Sequence, residues 1–392
     1  MAPHPRTLTG IPRSVWVLGC VSLLMDTSSE MVHSLLPLFL SGTLGIGVLY
    51  IGVIEGIAES TALITKVFSG SLSDYLGRRK LLVLAGYALG ALTKPCFALA
   101  QGAGLVIGAR FVDRVGKGIR GAPRDALIAD VTPPPVRGAA YGLRQALDTV
   151  GAVLGPLIAT LLMLRWAGNF RAVFWFAFLP GLLAVLLILL AVREPARAAG
   201  AAPFRSPLQR AALRRLDARY WSVVAAGAVF TLARFSEAFL VLRAAELRVA
   251  ASWVPLVMVG MNLVYAATAY PFGRLADVAS RRRLLALGLA ALILSDLALA
   301  SAHDWRLLGV GVALWGAHMG MTQGLFAALV ADTAPAPLRG TAFGLFNLVS
   351  GIAMLLASVL AGVLWTAFVS AYTFYAGAAL ALVTLLGLLR AR

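Results

Sequence analysis

An acid, a second acid and an imidazole stand at Asp26, Glu30 and His33, inside an apolar run. The spacing i, i+4, i+7 places all three on one helical face. Their neighbourhood, Met25-Asp-Thr-Ser-Ser-Glu-Met31, is polar enough to require a wet cavity. Two like charges on adjacent turns oppose each other's ionisation, so this is chemistry for taking up and giving back a proton. Permanent pairing with arginines elsewhere is the alternative reading.

Glu55 and Glu59 repeat the spacing in the next run, with Lys66 on the same face; Glu59 is expected near mid-membrane and Glu55 nearer one surface. Glu59 is open to a functional or a structural role. Arg110, Arg114, Lys117 and Arg124 form a basic stripe at i, i+4, i+7 and i+14, flanked by Asp113 and Asp125. Such cations cannot face lipid; they pair with carboxylates such as Asp26, Glu30 and Asp148, or line a water-filled path. Anion binding by the stripe is the competing reading. Arg144 and Asp148, at i, i+4, can form an ion pair. Oxygen and imidazole donors at Asp26, Glu30, His33 and His318 would suit nickel, cobalt or ferrous iron as cargo, although no His-rich tail or Cys cluster supports a firm metal site.

These residues must be held by membrane-spanning helices. Of 392 residues 60% are hydrophobic and 13% charged, which excludes an ordinary soluble domain and a disordered chain. Apolar runs fall near 14–41, 48–69, 81–100, 104–129, 139–164, 172–192, 220–243, 254–272, 284–301, 307–331, 340–366 and 369–390. Twelve spans of about 20 residues fit this length. The expected fold is an all-α membrane protein of twelve transmembrane helices in two pseudo-symmetric six-helix bundles, 1–192 and 220–392, joined by a linker at 193–219. Cys20 and Cys96 lie in apolar segments and cannot staple a scaffold. The first run is followed by further spans and reads as a span rather than a removed signal peptide.

The net charge of +17 is a matter of placement. Of the 34 Lys and Arg, 20 fall on the side holding both termini, five on the opposite side and nine within spans. That bias puts both termini in the cytoplasm, in an inner membrane, and argues against nucleic acid as a partner.

The halves repeat. Gly70-Ser-Leu-Ser-Asp74, before Arg78-Arg79-Lys80, returns as Gly273-Arg-Leu-Ala-Asp277 before Arg281-Arg282-Arg283; Asp130 to Gly138 returns as Asp332 to Gly340. Gly70-x-Leu-x-Asp74-x-x-Gly77-Arg78-Arg79-Lys80 resembles the signature loop between spans 2 and 3 of the major facilitator superfamily, and the resemblance covers the whole chain. It implies a twelve-span secondary transporter, without cofactor or enzymatic activity, acting as a monomer. In it Gly70, Asp74, Gly77, Arg78, Arg79 and Asp277 would serve gating, Gly70 by letting helices approach. Arg114-x-x-Lys117-Gly118-x-Arg120-Gly121 resembles the span-4 motif whose arginine is tied to proton transfer, although the family usually has a neutral residue at Lys117. Gly142, Gly151 and Gly155-Pro156 resemble the antiporter motif of exporters in span 5, with Ala159-Thr160 where two further glycines are usual.

The resemblance thus implies a proton-coupled antiporter exporting small cationic or amphipathic compounds. Its expected proton-coupling residues are Asp26, Glu30, Glu59, Arg114 and Asp148. By the family's architecture spans 1, 4, 7 and 10 line the cavity, so Asp26, Glu30, His33, Arg234, Glu237, Trp315, His318 and Gln323 are the substrate-contact candidates. Divalent-metal efflux and proton-symport import are the alternatives. The second half is poor in charge: Asn262, Gly316 and Ser350 stand where the first half has Glu59, Arg114 and Asp148.

Overall fold

The computed structural model describes residues 11–76, 78–194, 215–335 and 338–390, without the side chains of Asp74, Asp277 and Val278. Most of the linker expected at 193–219, and Gly77 of the signature loop, lie outside the described residues. Twelve long helices follow in order: α1 Arg13–His33, α2 Val48–Leu76, α3 Arg79–Leu99, α4 Ala103–Val131, α5 Arg137–Arg165, α6 Phe170–Ala191, α7 Ala218–Ala233, α8 Leu256–Val278, α9 Arg281–Ser301, α10 Trp305–Thr333, α11 Arg339–Ala367 and α12 Ser370–Arg390. Among the described residues there is no strand.

Ten spans are long and apolar enough to cross a membrane, counting the broken runs Arg13–Thr43 and Ala218–Glu246 as one each. The exceptions, α4 and α10, are 29 residues each and line the central chamber. A helix with one wet side need not be apolar all round. Helix starts are capped where polar residues allow: Asn169 Oδ1 accepts from Ala172 N, Asp217 Oδ1 from Tyr220 N, and Asp304 Oδ1 from Leu307 N.

Two expected spans are broken. Pro37 has no N–H to give the carbonyl of His33, so α1 ends there, and the run continues as a short turn, Leu36–Leu38, and a wide turn, Phe39–Thr43. The seventh run stops at Ala233, crosses Arg234–Glu237 in non-helical form and resumes as Ala238–Glu246. Open backbone at membrane depth is tolerated where it lines a cavity, which is what Arg234 to Glu237 do.

In the first half α1 packs on α5 and α6, α3 on α4 and α6, and α2 on α4; in the second, α9 packs on α10 and α12, α8 on α10, and α11 on α7 and α12. The halves meet through α2 against α11 and α5 against α8. Away from the termini one apolar core joins both halves, running from Leu35–Leu40 to Phe239–Leu242. On the face where the described chain begins and ends, at Ile11 and Arg390, each half keeps its own core, around Val15, Leu18 and Ile188 in one and Tyr220, Val330 and Ala342 in the other. The cleft between the halves therefore opens on that face.

The sequence repeat reappears as a repeated contact. Arg79 Nη1 meets Asp130 Oδ2, and Arg281 Nη1 meets Asp332 Oδ2, each clasping the start of one helix to the end of another. Arg79 also donates to the carbonyl of Ala126 at 2.9 Å. Gly70 is in ordinary contact, a Cβ there standing 3.6 Å from that of Ala122, so the close approach expected of it is not made. Gly118 makes it instead, with room for no side chain against Ala62 and Thr65 of α2.

Candidate functional site: a charged chamber between the halves

Two connected cavities occupy the cleft, sharing Glu59 and Lys117. One, of about 220 Å³, lies between the halves, with Glu30, His33, Arg114 and Lys117 on one wall and Arg234, Glu237, Met319 and Gln323 on the other. The second, of about 310 Å³, lies within the first half among Asp26, Lys66, Lys117, Arg120, Arg124 and Asp148.

α1 reaches this chamber because α5 lets it come close. A Cβ on Gly151 would stand 2.5 Å from the carbonyl oxygen of Leu23 and 3.1 Å from Asp26 Cβ; one on Gly155 would stand 2.7 Å from Thr27 O and 2.8 Å from Glu30 Cβ. These two glycines seat the very residues that carry the acids. Gly142 has nothing within 4 Å and takes no part, and Pro156 is buried beside Gly155.

The acids expected to oppose each other do not. Glu30 turns to His33, Oε2 to Nδ1 at 3.4 Å, whereas Asp26 lines the second cavity together with Asp148 of α5. Cations stand on either side: Arg120 Nη2 lies 3.9 Å from Asp26, Arg124 Nη1 4.0 Å from Asp148, and Arg144 Nη1 3.3 Å from Asp148. Arg120 is also held over the ring of Tyr87, 4.6 Å from its centroid.

Above this pair a chain of ion pairs crosses the half. His33 Nε2 lies 3.7 Å from Glu55, Glu55 is 2.7 Å from Arg110, Arg114 is 3.2 Å from Glu59, and Asp113 is 2.8 Å from Lys94. Such buried pairs hold together because each charge has its partner. His33, Glu55 and Glu59 bring their donor atoms within 4.8 Å of one another, a geometry a divalent ion could use, but Arg110 and Arg114 occupy the same carboxylates.

Glu55 is the residue the sequence underrated. It is fully buried, and Ser236 of the broken α7 segment approaches it at 3.5 Å from the other half. Its burial comes from helices far away in sequence, which periodicity along its own helix does not register. Lys94 was equally hidden in an apolar run. So was Asp296 on α9, which is fully buried and has no hydrogen-bond partner on either oxygen.

Other candidates fall elsewhere. Arg234 Nη2 and Glu237 Oε1 pair at 3.3 Å on the chamber wall, where Gln323 accepts from the hydroxyl of Tyr265 at 3.0 Å. Trp315 and His318 are fully buried away from it: His318 Nδ1 meets the carbonyl of Gly288 at 2.9 Å, and its ring lies 5.3 Å from that of Phe230. The structure does not bring His318 together with Asp26, Glu30 and His33.

Membrane-crossing helices in two halves around a charged central chamber define a membrane transporter. The chain belongs to the Major Facilitator Superfamily, whose sequence profile matches residues 18–258 and 238–392. It is 32% identical over 381 residues to an MFS-type transporter of Methanocaldococcus jannaschii, covering 95% of this chain and 94% of that one. It is 24% identical over 220 residues to the quinolone resistance protein NorA of Staphylococcus aureus, 56% of this chain and 54% of that one. A bacterial homologue of the human lysosomal transporter Spinster, in an inward-facing and unoccupied conformation, shares the fold with a TM-score of 0.74 at 16% identity, over 98% of this chain and 95% of the other. The protein is thus a multi-span membrane transporter and not an enzyme.

Proposed function

We propose that this protein is a proton-coupled antiporter that exports small amphipathic organic compounds from the cytoplasm across the plasma membrane, as a monomer with both termini inside. The observation that carries the reading is that Asp26 and Asp148 line one cavity, with Asp26 brought against α5 at Gly151. With the termini in the cytoplasm, the cleft described above is open inward. Cargo enters from that side. Rocking of the halves parts Glu55 from Ser236 and opens the chamber outward, where a proton joins the pair as cargo leaves. Return to the inward state gives the proton to the cytoplasm. The same pair then serves in both directions, and a proton and a cargo molecule alternate in one chamber.

The partial match to a quinolone resistance protein supports efflux of organic compounds over import. Divalent-metal export is the second reading, favoured by the grouping of His33, Glu55 and Glu59. The guanidinium groups of Arg110 and Arg114 on those carboxylates favour the organic cargo.

The test is flux into proteoliposomes with an imposed pH gradient and a trapped pH-sensitive dye, with a fluoroquinolone, tetraphenylphosphonium and Ni²⁺ as separate arms. The expected result is gradient-driven flux of an organic arm, collapsed by a protonophore and uncoupled from pH by Asp148→Asn. Flux that ignores the gradient, or that Asp148→Asn leaves coupled, overturns the proposal; flux of Ni²⁺ alone replaces it with the second reading.

A further inference from the structure

The chamber's acids suggested a cationic cargo only while they were read without their partners. Across the two cavities the lining holds six Lys and Arg against five Asp and Glu, leaving His33 aside. Four of the cations have carboxylates within 4.0 Å: Arg114 with Glu59, Arg120 with Asp26, Arg124 with Asp125 and Asp148, and Arg234 with Glu237.

The excess has an address. Among the described residues Lys117 and Lys66 form no ion pair. Both side chains are exposed, and both face the second cavity. Lys117 stands at the junction of the two cavities. The first cavity adds the apolar surfaces of Phe235, Met319 and Met354 beside it. An ammonium in no close ion pair, on a flexible stem in a cavity lined also by an aromatic ring and two pliable thioethers, suits an acid head on an apolar body.

We infer that the cargo is an organic anion, whose carboxylate or phosphate docks on Lys117 with Lys66 as the second cation, and whose apolar part lies against Phe235, Met319 and Met354. The inference rests on the transport reading above and deepens it by naming the class of cargo. It also gives Lys117 a purpose: an anion that neutralises it is carried out, and the ammonium is left to water on the return. Removing one partner of such a charge pair costs at least about tenfold in affinity.

The experiment measures binding to the purified full-length protein in detergent, with 2-naphthoate, 2-naphthyl phosphate, 2-naphthylmethylammonium and neutral 2-naphthylmethanol as matched probes. The expected result is saturable binding of at least one anion, with the ammonium and alcohol probes at least about tenfold weaker. Whether naphthoate or naphthyl phosphate binds more tightly assigns the head group. Lys117→Ala should weaken the anion about tenfold or more and Lys117→Arg should restore most of it, with unchanged thermal unfolding showing that both variants fold. Lys117→Gln serves should the alanine variant not fold. Ammonium binding as tight as either anion, absence of binding by both anions, or unchanged anion affinity in Lys117→Ala overturns the inference. The measurement uses no gradient, so it separates the two proposals: pH-driven flux with failed anion binding sinks the cargo class alone, and anion binding with pH-indifferent flux sinks the coupling alone.

Discussion

Gly151→Ala adds one methyl group at the α1–α5 contact. The new carbon would lie 2.5 Å from Leu23 O, where 3.0 Å is already tight and 3.4 Å is ordinary contact, so the two helices must part by about 0.5–0.9 Å. Overpacking of this kind costs about 1–3 kcal/mol. Gly142→Ala, on the same helix with nothing within 4 Å, should instead gain about 0.5–1 kcal/mol from the better helix propensity of alanine. The two variants share chemistry and helix and differ only in what the methyl meets. The displacement at Gly151 falls one turn from Asp148 and directly on Asp26, so it also separates the carboxyl pair. Unfolding of the full-length protein in mixed micelles should place Gly151→Ala below wild type and Gly142→Ala at or above it. In proteoliposomes Gly151→Ala should lose pH-driven flux while Gly142→Ala keeps it. Equal stability of the two variants would refute the packing argument, and full coupling in a destabilised Gly151→Ala would refute the role given to the Asp26–Asp148 approach.

Lys94 and Asp113 are both almost wholly buried and 2.8 Å apart, so Lys94→Met should destabilise by about 3 kcal/mol by leaving the Asp113 carboxylate only Arg114 Nε at 3.6 Å, and Lys94→Met with Asp113→Leu should recover most of that loss. A double-mutant cycle in the same unfolding assay checks it; a double variant no more stable than the single would disprove it. At the exposed start of α10, the N–H of Leu307 holds the Asp304 carboxyl below its ordinary value of 3.8, helped by the N–H of Arg306 and the charge of His303. A carboxyl depressed on folding stabilises above its unfolded value and loses that contribution as pH falls through its folded one. Asp304→Ala should therefore melt lower than wild type near neutral pH, with the gap closing in melts taken below pH 3.8. A gap independent of pH would rule the cap out as its source.

The spans were legible because bilayer thickness imposes a length on apolar runs that no tertiary context changes. The breaks were less so. Pro37 marks the end of α1, but Arg234–Glu237 contains no proline or glycine, and only the chamber beside it makes its open backbone tolerable. That Arg110, Arg114, Arg120 and Arg124 must either find carboxylates or line a water-filled path followed from lipid exclusion alone. Which carboxylate each found did not, because Glu55, Glu59, Asp26 and Asp148 arrive on three other helices whose rotation the sequence does not specify. Buried polar groups on apolar helices, such as Lys94 and Asp296, differ from their neighbours by one letter and leave no periodic trace.

The repeat explains why the chemistry gathers in one half. Where α2 and α4 are joined by Glu59 and Arg114, the corresponding α8 and α10 carry Asn262 and Gly316. Gly316 lets α10 touch the backbone of Met261, and Asn262 Nδ2 reaches across to the carbonyl of Ala152 on α5 at 3.1 Å. At these positions charge in one copy thus stands where a backbone contact stands in the other. An ion pair is weakened by water, by a proton or by a charged ligand, whereas a backbone contact is indifferent to all three. A half built of the first kind responds to what enters the chamber, and a half built of the second kind moves as one body against it. The clasps Arg79–Asp130 and Arg281–Asp332, by contrast, occur in both copies, because each half must hold its own helix ends whichever way the chamber faces.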